Sequence, residues 1–152
     1  IAISGSFVSY KPHFTRINVA DGSITWKYDR WLVEGEYQYK RYAGNDFGHV
    51  NAWNVYGVYT LPITTPTFNY LSFEGRFDGM TDHSSGISNT DGILPVDHPS
   101  RRRLTIGSTI GRIHKHLKAE ITVNYEKYFY NKEVDATRGN SDKLLAEIII
   151  KF

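Results

Sequence analysis

Asp82, His83 and Ser84 are adjacent and combine three side chains that many hydrolases use: a carboxylate, an imidazole and a hydroxyl. In such enzymes the histidine removes the proton of the hydroxyl, whose oxygen then attacks the substrate. Adjacent residues of an extended chain point in different directions, so these three cannot form a triad alone. The polar segment around them, residues 81–100, also contains Asp91, Asp97 and His98, which leaves a loop cation site as an alternative to simple solubility. We predict no enzyme, no cofactor and no bound metal.

Most other charged residues alternate with apolar residues. In 117–129 the odd positions from Leu117 are apolar and the even positions from Lys118 are polar, with Lys127 as the one exception. Because successive side chains of a strand point to opposite faces, this pattern predicts a strand with one charged and one apolar face. The charged residues that we assign to such polar faces are Lys27, Glu34, Glu36, Lys40, Glu74, Arg76, Asp78, Arg101, Arg103, Lys118, Glu120, Glu126, Lys143, Glu147 and Lys151.

This alternation recurs along most of the chain, and the helical spacing of apolar residues is nearly absent. We therefore predict an all-β chain with eight strands, at 1–9, 16–28, 31–42, 51–61, 70–80, 101–112, 117–129 and 143–152. Tight turns are expected at 29–30 and 114–116, and a moderate connection at 62–69. Longer polar segments lie at 43–50, 81–100 and 130–142. Short turns at one end and long loops at the other are typical of an antiparallel transmembrane β-barrel.

Aromatic residues are concentrated at the ends of the predicted strands. Trp26, Tyr28 and Trp31 flank one tight turn, and a second group adjoins the long loops, namely Tyr42, Tyr128, Phe129 and Tyr130. Membrane barrels place aromatic rings at both interfaces, whereas a soluble β-sandwich usually disperses them. The pattern favours a membrane barrel and leaves a soluble β domain as the alternative. Six glycines inside strands are expected to let the sheet bend, namely Gly35, Gly57, Gly75, Gly79, Gly107 and Gly111.

Length and composition exclude several classes of protein. The 152 residues suffice for one domain, 1–152, and 18 Lys and Arg against 16 Asp and Glu give no strong field to attract nucleic acid. The lack of cysteine excludes disulfides and thiolate metal sites. No apolar run is long enough for a transmembrane helix, but a membrane β-strand needs only about 9–11 residues. Because the chain begins directly in strand-like sequence, we expect a signal peptide or further protein to precede Ile1.

Three stretches carry a resemblance to a known family. They are ADGSITWKYDRWLVEGEYQY at 20–39, FEGRFDGMTDHSSG at 73–86, and the C-terminal segments RRRLTIGSTI, NYEKYFY and DKLLAEIIIKF. Together they resemble the phosphate-selective porins, porins O and P, and especially their relatives in the outer membranes of Bacteroidetes-type bacteria. The resemblance implies a homotrimer of 16-stranded barrels, with these eight strands as the C-terminal half and the constriction loop in the other half. Arg30 departs from the family pattern, which has a turn glycine before the tryptophan.

The resemblance implies an outer-membrane porin, a water-filled channel for passive diffusion of small hydrophilic solutes, including anions such as phosphate. The charged residues above would line the pore, and their eight cations and seven carboxylates argue against strong anion selectivity. Arg101, Arg102 and Arg103 could gather anions at the mouth, or contact lipopolysaccharide phosphates or loop carboxylates such as Asp97 instead. Alternation directs Arg102 to the opposite face. Pairs between Glu74 or Arg76 and strand six could equally be cross-strand stabilisation.

A second hypothesis is a complete eight-stranded barrel whose charged residues fill its interior. Such a barrel would serve as an anchor, an adhesin or a subunit of an envelope assembly; as a separate hypothesis, the chain could be one piece of a larger assembly in which the 81–100 loop contacts a partner. In both hypotheses outer-membrane lipid and lipopolysaccharide surround the chain. Both therefore predict a location in the bacterial outer membrane.

The last ten residues, KLLAEIIIKF, are also amphipathic with period two. Their apolar face consists of Leu144, Ala146, Ile148, Ile150 and Phe152, whereas Lys143, Glu147 and Lys151 lie on the other face. A terminal strand that ends in Phe resembles the signal by which the barrel insertion machinery recognises outer-membrane proteins. The resemblance implies that Ile148, Ile150 and Phe152 form this signal, with the C-terminus in the periplasm and 130–142 outside.

Overall fold

The computed structural model describes residues 1–10, 17–42, 49–82, 100–130 and 142–152. These residues form β-strands and contain no helix, which confirms the all-β prediction. The strand bounds differ from the predicted ones by at most two residues, and those of the third and fifth strands coincide with them. The strands are β1 (Ala2–Tyr10), β2 (Ile17–Tyr28), β3 (Trp31–Tyr42), β4 (Val50–Pro62), β5 (Tyr70–Met80), β6 (Arg101–His114), β7 (Leu117–Tyr130) and β8 (Lys143–Lys151).

The eight strands form one antiparallel sheet in which each strand pairs with its neighbours in sequence. This arrangement is the simplest that short hairpin connections allow. Within the described residues, β1 pairs only with β2 and β8 only with β7, and the two outer strands do not touch each other. The sheet is therefore open here, with β1 and β8 as its edges. Closure into a barrel stays a prediction.

Two-residue turns connect β2 to β3 and β6 to β7. Their first residues, Asp29 and Lys115, have positive φ of 49° and 52°. The predicted turn at 114–116 is one residue too long, because β6 continues through His114 and only Lys115 and His116 are turn residues. In the turn between β2 and β3, Asp29 has the left-handed conformation and Arg30 does not. Arg30 therefore causes no backbone strain where the family pattern has a glycine.

The two-residue turns and the connection 63–69 lie along one edge of the sheet, which we call the turn end; the opposite edge is the loop end. Side-chain hydrogen bonds fix the longer connection at the turn end. Asn69 donates from Nδ2 to the carbonyl oxygen of Ile113 at 2.8 Å and accepts from its amide at 3.0 Å. Asn69 thus replaces the ladder bonds that β5 and β6 would otherwise lose where their pairing ends.

The pairing register is staggered in one direction across the sheet. The row of opposite residues that begins at Trp31, the first residue of β3, runs through Tyr59, Phe73, Ser108 and Val123 to Ala146. Ala146 stands six residues before Phe152, so the stagger is six residues over five steps, or about 1.2 residues per strand. With a rise of about 3.3 Å per residue and a strand spacing of about 4.8 Å, the strands tilt by about 40° from the normal to the turn end.

The sheet has no hydrophobic core of its own. Among the described residues only Ile17 and Val50 are buried hydrophobics, and no side chain is fully buried. Large apolar side chains are exposed instead, including Ile148 at 73% and Phe73 at 49%. The described strands form a single layer, so the packed second sheet that defines a β-sandwich is not seen among them.

Candidate functional site

The register places all fifteen charged residues assigned to polar faces on the same face of the sheet. Directly opposite residues share a face, and one row of them contains Glu34, Tyr56, Arg76, Thr105, Glu126 and Lys143. On its own strand, each of the other predicted residues is an even number of positions away from a residue of this row or of a parallel row. Because side chains alternate along a strand, these residues point to the same face. We call this surface the polar face and the opposite surface the apolar face.

One charged residue of the polar face was missed in the sequence. Asp21 lies six positions before Lys27 on β2, so the same alternation could have identified it. The Ser6 hydroxyl donates a hydrogen bond to its carboxylate across β1 and β2. With Asp21 included, the strands carry eight carboxylates and eight cations on this face.

The charges of the polar face are not evenly mixed. On β2 to β5, five carboxylates oppose three cations, namely Asp21, Glu34, Glu36, Glu74 and Asp78 against Lys27, Lys40 and Arg76. On β6 to β8, three carboxylates oppose five cations, namely Glu120, Glu126 and Glu147 against Arg101, Arg103, Lys118, Lys143 and Lys151. The face is neutral as a whole, but one half is acidic and the other is basic.

Arg103 is the centre of an ion-pair cluster where the two halves meet. Its Nε and Nη2 donate to the two carboxylate oxygens of Asp78 at 3.1 and 3.0 Å, a bidentate pair. Its Nη1 lies 3.5 Å from Glu126 Oε1, and Arg76 Nε lies 3.5 Å from Asp78. Arg103 is thus paired with Asp78, the residue directly opposite, and not with Glu74, which faces Gly107.

Arg101 lies beside this cluster without joining it. No described carboxylate is within ion-pairing distance of Arg101, whose side chain is exposed. An open hollow of about 350 Å³ lies between Arg101, Arg103, Arg76 and Glu36 on the polar face. Water and small ions can therefore reach this cluster from the polar face.

Uncharged side chains bridge the rest of the polar face. Asn54 donates to Glu36 at 2.9 Å, Tyr56 donates to Glu74 at 2.9 Å, and Tyr70 donates to Glu120. Hydroxyl pairs join β4 to β5 and β6 to β7, at 2.9 and 2.8 Å. Near the turn end Lys118 Nζ lies 2.8 Å from Glu120. These cross-strand bonds restrain many side chains of the face, so that charged groups are held at defined positions.

Three glycines allow neighbouring side chains to lie flat on the sheet. On the apolar face the indole of Trp53 covers Gly79, where a Cβ would be 2.7 Å from the ring. On the polar face the ring of Tyr70 covers Gly111, and Asn124 covers Gly107. In each case the glycine and its neighbour are directly opposite on adjacent strands. These glycines therefore serve packing as well as bending.

The apolar face carries aromatic rings near both ends of the strands. Trp31 packs on Tyr59 at 4.6 Å near the turn end, beside Trp26 and Tyr28, whose ring centroids are 6.0 Å apart. Towards the loop end Trp53 contacts the edge of Phe77, with ring centroids 5.0 Å apart. The distribution resembles two interfacial belts.

The predicted aromatic group at the loop end needs a correction. Tyr42, Tyr128 and Tyr130 lie on the polar face, because they occupy even positions of β3 and β7. Only Phe129 of that predicted group is on the apolar face, where it is directly opposite Arg102. Proximity to a strand end predicts that these rings lie near the loop end of the sheet. It does not predict on which face of the sheet they lie.

The predicted insertion signal lies on the edge strand β8 and its C-terminal end. Ile148 and Ile150 are exposed on the apolar face, and Phe152 has 99% of its surface exposed. Lys143, Glu147 and Lys151 are on the polar face of the same strand. The amphipathic pattern is therefore present in the structure, and its role as an assembly signal stays a prediction.

The predicted loop chemistry falls mostly outside the described residues. This applies to His83, Ser84, Asp91, Asp97 and His98, and to the partner contact predicted for 81–100. In the described part of the chain no group of three or more His, Asp or Glu side chains could hold a metal. No helix among these residues is long and apolar enough to cross a membrane.

Comparison with known proteins finds no matching family model, no matching curated protein and no matching solved structure. The resemblance to the phosphate-selective porins therefore rests on the quoted motifs and stays a prediction.

Proposed function

We propose that the chain forms part of a transmembrane β-barrel whose polar face lines a water-filled channel for small hydrophilic solutes. One observation carries this proposal: every carboxylate of the strands is on the polar face, and the other face of the single-layer sheet is an exposed apolar surface. Water disfavours an apolar surface of this extent, whereas the hydrocarbon of a bilayer accepts it. The same sheet requires an aqueous space on its other side.

The dimensions of the sheet fit a bilayer. β2 has 12 residues, and at a tilt of about 40° and a rise of about 3.3 Å per residue such a strand rises about 30 Å. The hydrocarbon core of a bilayer is about 30 Å thick, and barrel strands tilt by about 35–45°. The stagger thus supports a barrel, because closing a sheet into a barrel requires a shear of this kind.

The open edges favour a barrel of more than eight strands. An eight-stranded barrel requires β1 to pair with β8, and the two do not touch within the described residues. Unpaired backbone groups cannot face lipid, so both edges must be paired with further strands. We propose that those strands complete a barrel of the porin type, for which the resemblance implies 16 strands and a homotrimer in the bacterial outer membrane.

The polar face suggests a channel with weak ion selectivity. Its charges balance, and Arg103, which could otherwise attract anions, is already neutralised by Asp78 and Glu126. Solutes would pass between an acidic and a basic half of this wall and be retarded by electrostatics and pore width, not by tight binding. No covalent step or cofactor belongs to this function.

Planar bilayers test the proposal. The full-length protein, shown to be folded by the heat-dependent shift of its gel mobility, is expected to produce discrete conductance steps. Under a salt gradient we expect a reversal potential near zero. Folded protein that inserts without any conductance would contradict the channel and favour a plugged barrel acting as an anchor or adhesin.

An intact natural protein of about 17–20 kDa would favour the eight-stranded barrel, and one of about 40 kDa or more the larger one.

A further inference from the structure

The charged side chains that the strands place on the apolar face are all cationic. Asp142, one residue before β8, accepts a hydrogen bond at 2.6 Å from the hydroxyl of Tyr125 on this face and makes no ion pair with a described cation. No Asp or Glu of any described strand lies on this face, and its charged residues are Arg41, Arg102, Arg112 and Lys127. Three of them lie towards the loop end, and only Arg112 lies towards the turn end. If these positions reflected tolerance of surface charge alone, both signs would be expected. The asymmetry indicates an anionic partner outside the sheet.

Arg112 already has a partner in the protein. Its guanidinium donates a hydrogen bond to the carbonyl oxygen of Pro66 in the connection 63–69. This bond fixes the turn end and needs no external anion. The three cations of the loop end differ from Arg112, because no described carboxylate lies within ion-pairing distance of them.

Arg102 and Lys127 form the closest pair of these cations. Arg102 is directly opposite Phe129, and Lys127 stands two residues before Phe129 on the same face. Such diagonal neighbours on adjacent antiparallel strands are about 7–8 Å apart, a spacing that one phosphate group can bridge with two long side chains. Lys127 Nζ lies 5.9 Å from the centroid of the Phe129 ring, which directs the cation along the sheet surface.

Aromatic rings surround the pair. Arg102 is opposite Gly79 on its other side, and the indole of Trp53 covers that glycine. An open hollow of about 440 Å³ at the loop end is lined by Trp53, Arg102 and Phe129, and also by Arg101 and Tyr130 of the polar face. Rings of this kind favour the level of lipid headgroups, where one side is apolar and the other is wet.

The energetics of the membrane limit what such a pair can bind. An unpaired guanidinium is costly in hydrocarbon, but long cationic side chains near strand ends reach the headgroup level. Arginine binds phosphate through two parallel hydrogen bonds, and lysine adds a point charge. An anionic lipid differs from a soluble anion because its acyl chains can lie only against the apolar face, on which Arg102 and Lys127 are found. The placement of Arg102 and Lys127 therefore points to lipid.

We propose that Arg102 and Lys127 form a binding site for the phosphate of an anionic lipid headgroup, in the leaflet at the loop end of the sheet. The acyl chains of this lipid lie along the apolar face below Trp53 and Phe129. The site rests on the proposed membrane placement of that face but not on the conductance of the channel.

Lipid binding by the full-length protein in neutral detergent micelles tests the site. The probe is a bisphosphorylated lipid A, and native mass spectrometry or fluorescence titration measures its affinity. We expect the double variant Arg102→Gln/Lys127→Gln to bind this lipid at least about tenfold more weakly than the unmodified protein. A fully dephosphorylated lipid of the same acyl composition should bind both proteins equally and weakly.

Lys151→Gln is the matched control, because Lys151 is an exposed cation of the polar face that does not line this hollow. It should leave lipid binding unchanged. Equal loss in Lys151→Gln, no loss in the double variant, or displacement of the lipid by millimolar inorganic phosphate would overturn the lipid site. Arg102→Lys keeps the charge but loses the two parallel hydrogen bonds, so its affinity should lie between those of the double variant and the unmodified protein. An unchanged heat-dependent shift in gel mobility shows that the double variant is folded.

The outcomes separate this site from the proposed channel. The double variant should conduct like the unmodified protein, because both substitutions are on the apolar face. Normal conductance of both proteins without a difference in lipid binding would overturn only the lipid site. If the double variant binds the phosphorylated lipid more weakly than the unmodified protein, and neither protein conducts, the lipid site is supported and only the channel is contradicted.

Discussion

Arg101, Arg102 and Arg103 are adjacent in sequence and meet three different surroundings. Arg103 is paired with Asp78 and Glu126 on the polar face, and Arg101 is exposed on that face. Arg102 is on the other face, near Lys127 and aromatic rings. Sequence alternation predicted that Arg102 would point away from its neighbours. It could not predict which carboxylate Arg103 contacts, because that depends on the pairing register between strands far apart in sequence.

Asp78→Asn tests the ion-pair cluster. It removes the charge that two arginines share and weakens the bidentate pair with Arg103, so we expect the free energy of unfolding to fall by about 1–2 kcal/mol. The measurement is urea unfolding of the protein in lipid vesicles. The control is Glu147→Gln, since Glu147 makes no ion pair with a described residue. Equal stabilities of the two variants would contradict a structural role for this cluster.

Strand positions were the most predictable feature at the scale of the elements. The ends of β3 and β5 follow directly from flanking turn residues and from the period-two pattern. The face of each ring was less predictable: Tyr128 and Tyr130 were grouped with Phe129 although they differ from it in parity. The stagger and the aromatic cover of strand glycines could not be predicted, because both depend on which residues are opposite in the assembled sheet.

Gly111→Ala tests the packing between β5, β6 and β7. A Cβ at this position would collide with the ring of Tyr70 and lie 2.9 Å from the carbonyl oxygen of Ala119. We expect a loss of about 1–3 kcal/mol in the free energy of unfolding, because the ring must leave its place on the strand. Gly57→Ala is the control, since a Cβ there meets nothing within 4 Å. Its stability should be unchanged or slightly higher, and a loss equal to that of Gly111→Ala would contradict the interlocking of Tyr70 and Gly111.

At the scale of the whole molecule, the main result is the separation of the two faces. The described strands place every carboxylate on one side and leave the other side to apolar, aromatic and cationic residues. A soluble domain buries its apolar surface against a second layer, whereas here burial is minimal within the described residues. The proposed channel and the proposed lipid site follow from this one asymmetry.

Accessibility along β7 is the most direct test of the central claim, and the chain has no cysteine that would interfere. Single cysteines are placed at Ile121, Thr122, Val123 and Asn124, and the full-length protein is exposed in lipid bilayers to a charged, water-soluble thiol reagent. We predict that the cysteines at 122 and 124 react and reduce the current, while those at 121 and 123 react only after unfolding. Equal reaction of all four with the water-soluble reagent would place both faces in water and contradict the account.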